Sequence, residues 1–224
     1  MLVQDWMTPT PITLGVKSSV VEAAEVMRAQ NIRQFPVVTE DGKLIGIVSD
    51  RDIRDAMPSK YLSGDNVQSG EGLLSLTAED IMTYDPITVS ALTPVDITAD
   101  IIQKNKVGAL PVVDAEMKLI GIISEVDILR FFSSCSGVAR GGLQIAFKLE
   151  AKPGPLAALL DDLRSESVSF SSTMTSYDLV EPGFRMALIR FADTGPHTNE
   201  SLIKFLKNKH EIIHVFENGV LKAI

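Results

Sequence analysis

Residues 1–57 lie over residues 76–132 without a gap, at a constant offset of 75. Asp5-Trp6-Met7-Thr8 meets Asp80-Ile81-Met82-Thr83, Pro11-Ile12-Thr13 meets Pro86-Ile87-Thr88, and Pro36-Val37-Val38 meets Pro111-Val112-Val113. "KLIGIVSDRDI" (Lys43 to Ile53) meets "KLIGIISEVDI" (Lys118 to Ile128). A fixed offset over this length rules out chance similarity of short apolar words. A tandem repeat of this size implies two copies of one supersecondary unit that stack to bury a shared core.

Each copy reads β-α-β-β-α. A short strand is expected at Ile12 to Leu14 and at Ile87 to Val89. In copy one, Ser19-x-x-Glu22 has capping-box spacing; in copy two, Thr93 is the expected N-cap with Pro94 at the first helical position. Val20, Ala23, Ala24 and Met27 form one buried helical face, repeated by Val95, Ala99 and Ile102. A strand-turn-strand unit follows. Asp41-Gly42 suits a tight hairpin, whereas "AEMK" (Ala115 to Lys118) predicts a different turn in copy two. "SDRDIRDAM" and "SEVDILRFF" then start helices.

The Gly- and Ser-rich stretch 58–75 reads as an exposed connection, and 134–142 as a second joint. The expected domains are therefore 1–57, 76–133 and 143–224. The last has a different pattern: strands at Leu143 to Ala151, Val168 to Tyr177 and Phe184 to Ala192, a closing strand "IIHVFEN", and helix faces Leu156/Leu159/Leu160/Leu163 and Leu202/Ile203/Leu206. That order is the β-α-β-β-α-β of a ferredoxin-like fold. The fold class expected for the whole is mixed α/β (α+β).

Net charge is −8, which disfavours a bulk electrostatic role on nucleic acid or anionic lipid. No apolar run approaches the ~18–20 residues that span a bilayer, and "MLVQDWMTPT" lacks the pattern of a signal peptide. The single cysteine, Cys135, can form no internal disulfide, which suits a reducing cytoplasm.

The repeated phrase carries the candidate chemistry. Ser49-x-x-Asp52 and Ser124-x-x-Asp127 lie where a strand passes into a helix, and the spacing fits two readings. One is a capping box. The other adds Gly46 and Gly121, three residues earlier, where a ligand or another backbone could approach closely. There a carboxylate at a helix start could accept hydrogen bonds from a ribose diol. The readings can coexist.

Residues 1 to about 133 resemble a tandem CBS pair, or Bateman module, through "MTPTPIT" and "MTYDPIT", "QFPVVTEDGKLIGIVSDRDI" and "ALPVVDAEMKLIGIISEVDI". The resemblance implies two clefts of pseudo-twofold symmetry that bind adenine nucleotide as a regulatory ligand, with no cofactor required. It implies that Asp52 and Asp127 hold ribose hydroxyls, that Ser49 and Ser124 contact phosphate or sugar, and that Thr13 and Thr88 line the base and phosphate region. Arg33 and Arg51 are phosphate candidates by charge; copy two has Gly108 and Val126 in their places, so the clefts should bind unequally. "EAKPGPLAALLDDL" resembles the start of an ACT domain, which implies amino-acid binding near Gly154; a merely rigid Pro-Gly-Pro turn is the competing reading. A CBS pair followed by ACT resembles the acetoin utilization B type of protein.

The expected function is thus a non-catalytic sensor: a homodimer acting on a separate protein target, with no nucleic-acid or membrane partner. The alternatives are an enzyme with an unrecognised site and an adaptor with vestigial clefts. His210 and His214 fall at i, i+4, but "KNKHEIIHVFE" reads as a helix end followed by a strand, so no metal site is expected. Phe131 and Phe132 are expected in the core or a dimer interface.

Overall fold

The chain opens with a 3-10 turn (Val3–Asp5) and a two-residue strand, β1 (Thr8–Pro9), and neither packs with the repeat it begins. The computed structural model describes residues 1–56, 75–178 and 180–222, so the stretch 58–75 lies outside them except for Ser75. Copy one continues with β2 (Leu14–Gly15), α1 (Val20–Gln30), β3 (Gln34–Val38), β4 (Leu44–Ser49) and α2 (Asp50–Ala56). Copy two has α3 (Ala78–Ile81), β5 (Thr83–Tyr84), α4 (Val95–Asn105), β6 (Ala109–Val113), β7 (Leu119–Ser124) and α5 (Glu125–Cys135).

The two leaders are exchanged. β1 pairs antiparallel with β7 of the second copy (Thr8↔Ile122), and β5 pairs with β4 of the first (Ile47↔Thr83). Val3 is fully buried among Val89, Ile102, Leu110, Val112 and Ile123, all of copy two. Ala78 and Met82 join Phe35, Val37 and Val48 in the core of copy one. The Val3 N–H donates to Thr93 O at 2.9 Å, and the Ala78 N–H to Ser18 O at 2.9 Å. Gly46 and Gly121 now have a structural reason: a Cβ there would stand 2.5 Å from Met82 Sδ and 2.6 Å from Met7 Sδ. Each glycine admits the incoming leader: its methionine side chain comes closest, and a leader carbonyl, Thr83 O or Thr8 O, would stand 3.1 Å from the added Cβ.

Four local expectations need correction. The α4 N-cap is Pro94, not Thr93; the Thr93 hydroxyl instead accepts the Ser90 N–H at 3.1 Å. The buried face of α4 is Val95, Thr98 and Ile102, with Ala99 only half-buried; Thr98 is tolerated there because its hydroxyl donates to Pro94 O at 3.0 Å. The copy-two hairpin does not change type. Met117 takes the left-handed φ of 63° that Gly42 takes at 83°, and both turns close with the same backbone bonds. Asp114 Oδ1 accepts the N–H groups of Glu116 and Lys118, both at 2.9 Å, which holds the turn without glycine. The strand expected at Ile87 to Val89 reduces to one parallel bridge, Val89↔Val112.

The chain divides into two compact units, Met1–Leu129 and Arg130–Ile224. In the second lie β8 (Leu143–Glu150), α6 (Pro155–Ser165), β9 (Ser169–Ser176), β10 (Phe184–Asp193), α7 (Asn199–Lys207), β11 (Glu211–Glu217) and β12 (Val220–Lys222). The sheet order is β12-β11-β8-β10-β9, with every neighbouring pair antiparallel. β10 is inserted between β8 and β9, the split β-α-β of the ferredoxin-like arrangement, and β12 is an added hairpin strand. Leu159 and Leu163 of α6 and Leu202 and Leu206 of α7 pack on Ile145, Phe147, Ala187 and Ile189. The expected linker 134–142 contains the end of α5 and a 3-10 turn (Val138–Arg140). Ser136 O accepts from Ser172 Oγ at 2.9 Å and Arg190 Nε at 3.0 Å, which fastens this stretch to the sheet.

Candidate functional site

β4 passes into α2, and β7 into α5, with no intervening loop. At each junction the capping box forms. The Ser49 N–H and hydroxyl both donate to Asp52 Oδ2 at 2.7 Å, and the Asp52 N–H returns to Ser49 Oγ at 3.3 Å. In copy two the same bonds measure 2.9, 2.6 and 3.4 Å, from Ser124 and Asp127. Asp52 is half-buried and Asp127 is buried, 8% exposed. Capping uses Oδ2 alone in the bonds above, and a carboxylate offers about four acceptor sites, so it is compatible with a second role. The serine is more constrained. Its only proton goes to the carboxylate, so Oγ can accept from a sugar hydroxyl but cannot donate to a phosphate while the cap is closed.

The repeated aspartate of the leaders is a cap of the same kind. Asp80 Oδ2 accepts the Thr77 N–H and hydroxyl, both at 2.8 Å. The Thr77 N–H and then its hydroxyl hold the Asp80 carboxyl below its ordinary range.

The junctions sit beside residues 33 and 108. The Asp50 N–H donates to Arg33 O at 2.8 Å, and the Glu125 N–H to Gly108 O at 3.0 Å. Arg33 and Arg51 are exposed and make no ion pair with described residues, whereas Arg54 binds Asp50 at 3.1 Å. Thr13 is exposed just before β2 and Thr88 is half-buried just before Val89. Leu14 pairs with Val37 and Ser49 with Gln34, so Thr13 and the Ser49 junction flank the same short strand. An open cavity of about 630 Å³ is lined by Thr88, Ser90, Leu92, Ile101, Asp114 and Ile120 among others. It takes in Thr88 but no other candidate residue. It opens at the Val113 end of the β6–β7 hairpin, while Ser124 pairs with Ala109 at the other.

In the second unit, Gly154 is the N-cap of α6 at φ 110°, with Pro155 at the first helical position. A Cβ there would touch nothing within 4 Å, so the backbone conformation requires the glycine. His210 lies in the bend between α7 and β11, and His214 lies within β11. His210 Nε2 meets Asp162 Oδ2 at 2.8 Å, and Lys209 Nζ meets Asp162 Oδ1 at 2.6 Å. Lys209 first, with His210, holds the Asp162 carboxyl below its usual range. His197 lies between Glu166 (2.9 Å) and Ser201 (3.3 Å), but the Ser201 hydroxyl also donates to Thr198 O at 3.0 Å within the α7 cap. Among the described residues, no three His, Cys, Asp or Glu gather as metal ligands. No helix among them is long and apolar enough to cross a membrane.

The CBS domain family model matches residues 3–59 and 78–134, together just over half of the chain. A CBS domain-containing protein of Dictyostelium discoideum is 33% identical over 129 residues, 58% of this chain and 89% of that one. CBSX2 of Arabidopsis thaliana, solved in complex with AMP, is 28% identical with a TM-score of 0.50, over 58% of this chain and 95% of that one. An acetoin utilization protein (AcuB) of Vibrio cholerae is 27% identical with a TM-score of 0.49, over 74% of this chain and 96% of that one. Other curated relatives are named as enzymes, and of several of these the chain spans only 23% of the length.

Proposed function

The chain belongs to the CBS-domain family, and from that premise we propose that it is a non-catalytic regulatory protein whose two clefts bind an adenine nucleotide of the AMP, ADP or ATP type. The observation that carries this reading is the twofold Ser-x-x-Asp helix start, built with the same three hydrogen bonds in each copy. CBSX2, solved with AMP, supports the ligand class. Asp52 and Asp127 accept ribose hydroxyls, Ser49 and Ser124 accept from sugar, Thr13 and Thr88 border the base and phosphate, and Arg33 and Arg51 hold phosphate. The C-terminal unit is an ACT domain that binds an amino acid near Gly154, where the α6 N-terminus favours a carboxylate. Ligand binding shifts a population of conformations and so changes what a protein target meets, in the cytoplasm. A thermal-shift screen of the full chain tests both ligand classes. Nucleotide at 100 times its Kd raises stability by about 2.7 kcal/mol. No shift with any adenine nucleotide sinks the reading and favours vestigial clefts.

The protein is a homodimer in this reading. Val126, Leu129 and Phe132 form an apolar stripe on α5 that is 69%, 63% and 54% exposed. Their counterparts in α2 include Arg51 and Arg54, so the stripe is peculiar to copy two. Such a stripe calls for an apolar partner, and a second copy supplies one. Light scattering should give a dimer that Leu129→Glu with Phe132→Glu converts to a monomer. A wild-type monomer that persists at tens of micromolar refutes it.

A further inference from the structure

The repeat sets Gly108 where copy one has Arg33. The room left by that missing side chain is filled from the other copy. A Cβ at Gly108 would stand 2.7 Å from Gln34 Nε2. The carboxamide of a first-copy residue thus lies where a second-copy side chain would begin. Gln34 is half-buried, and its carboxamide makes no hydrogen bond among the described residues. Its backbone is fixed by pairing with Ser49. The Gly108 carbonyl in turn accepts the Glu125 N–H, two residues ahead of Asp127, so the amide sits at the start of the helix that carries the second cleft's aspartate. No reciprocal contact is possible, because the counterpart of Gln34 is Ala109, which has nothing beyond Cβ.

Resting on the nucleotide reading above, we infer that Gln34 is a specificity-determining residue of the second cleft, supplied across the pseudo-twofold axis by the first copy. The consequence is a division of ligands by charge. Arg33 and Arg51 flank the first cleft, and a guanidinium binds phosphate oxygens in pairs. The second cleft has Gly108 and Val126 at those positions and a neutral carboxamide, which offers two donors and one acceptor without charge. The first cleft therefore selects adenosine ligands by their phosphates. The second takes adenosine ligands of low phosphate charge, oriented by the Gln34 amide.

Calorimetric titration of the full chain with adenosine, AMP and ATP tests this. Asp127→Asn reports the first cleft and Asp52→Asn the second. From adenosine to ATP, affinity should rise at least about tenfold in Asp127→Asn, as charge-assisted bonds allow. It should change less than about threefold in Asp52→Asn. Adding Gln34→Ala should weaken AMP binding about threefold to tenfold in the Asp52→Asn protein, the range of one neutral hydrogen bond, and leave the Asp127→Asn protein unchanged. Gln34→Glu, of the same length, should weaken ATP more than adenosine in the second cleft. Silence of both Gln34 variants in the Asp52→Asn protein overturns the inference, as does an equally steep phosphate dependence in the two clefts. If the wild type binds none of the three ligands, the nucleotide reading itself falls; if it binds and Gln34 is silent, only the cross-copy assignment does.

Discussion

Val3→Asp should destabilise the unit Met1–Leu129 by at least about 3 kcal/mol, with the damage centred on the repeat to which Val3 does not belong. The side chain is fully buried, and every buried residue clustered with it comes from copy two. Burial of a valine contributes about 1.5–3 kcal/mol, and an unpartnered polar group in its place adds a desolvation cost of about 1–3 kcal/mol or more. Against a typical stability of about 5–15 kcal/mol that is a large fraction. Urea unfolding would show a lowered midpoint. Amide exchange in the native state would locate the effect: protection should fall first in β6 and β7 and last in β3 and β4. Gln4→Asp, at an exposed neighbour, is the control and should change little. Loss of protection in β3 and β4 ahead of β6 and β7 would mean that the leader packs on its own repeat.

The second large effect is expected at Asp127, where two roles must be separated. Asp127→Ala removes the acceptor of the Ser124 N–H and hydroxyl, a capping loss of about 1–2 kcal/mol in stability. Asp127→Asn retains one carbonyl oxygen for those bonds, so it should lose less stability than Asp127→Ala. Its amide nitrogen cannot accept a hydrogen bond. Both variants should therefore lose nucleotide affinity in the second cleft, by about tenfold to a hundredfold, since a bond to a charged group contributes about 1.5–3 kcal/mol. Titration calorimetry and thermal unfolding on the same samples separate the two. An Asn variant that binds AMP like the wild type would falsify the ribose role and leave Asp127 as a cap only.

Much of the architecture was legible because its signals are local. Ser19 caps α1 from a side chain three residues from its partner, Glu22, and Val20, Ala23, Ala24 and Met27 share one face because 3.6 residues make a turn. The alternation in Leu143 to Glu150 marked β8, and the order of elements in the second unit followed. Misreadings were local too, and each has a physical cause. Thr93 has the chemistry of a cap, but its hydroxyl finds the Ser90 N–H instead. Met117 lacks the freedom of Gly42, but Asp114 organises the turn around it.

The candidate site divides in the same way. The repeat alone paired Ser49 with Asp52 and Ser124 with Asp127, because the capping box closes within one helical turn. Sequence also determined that there would be two such junctions at one offset. Only the tertiary structure decided which repeat each leader completes. Thr8 and Thr83 carry the same strand pattern and meet nearly the same partner sequence, "LIGII" or "LIGIV", so pairing within a repeat and pairing between repeats look alike along the chain. Gly46 and Gly121 were open to a ligand or a backbone until Met82 and Met7 were found against them. Gln34 carried no signal at all. Its meeting with Gly108 joins residues 74 positions apart, and a contact of that kind arises from how the copies pack, since no periodicity or spacing in one copy encodes the space left empty in the other.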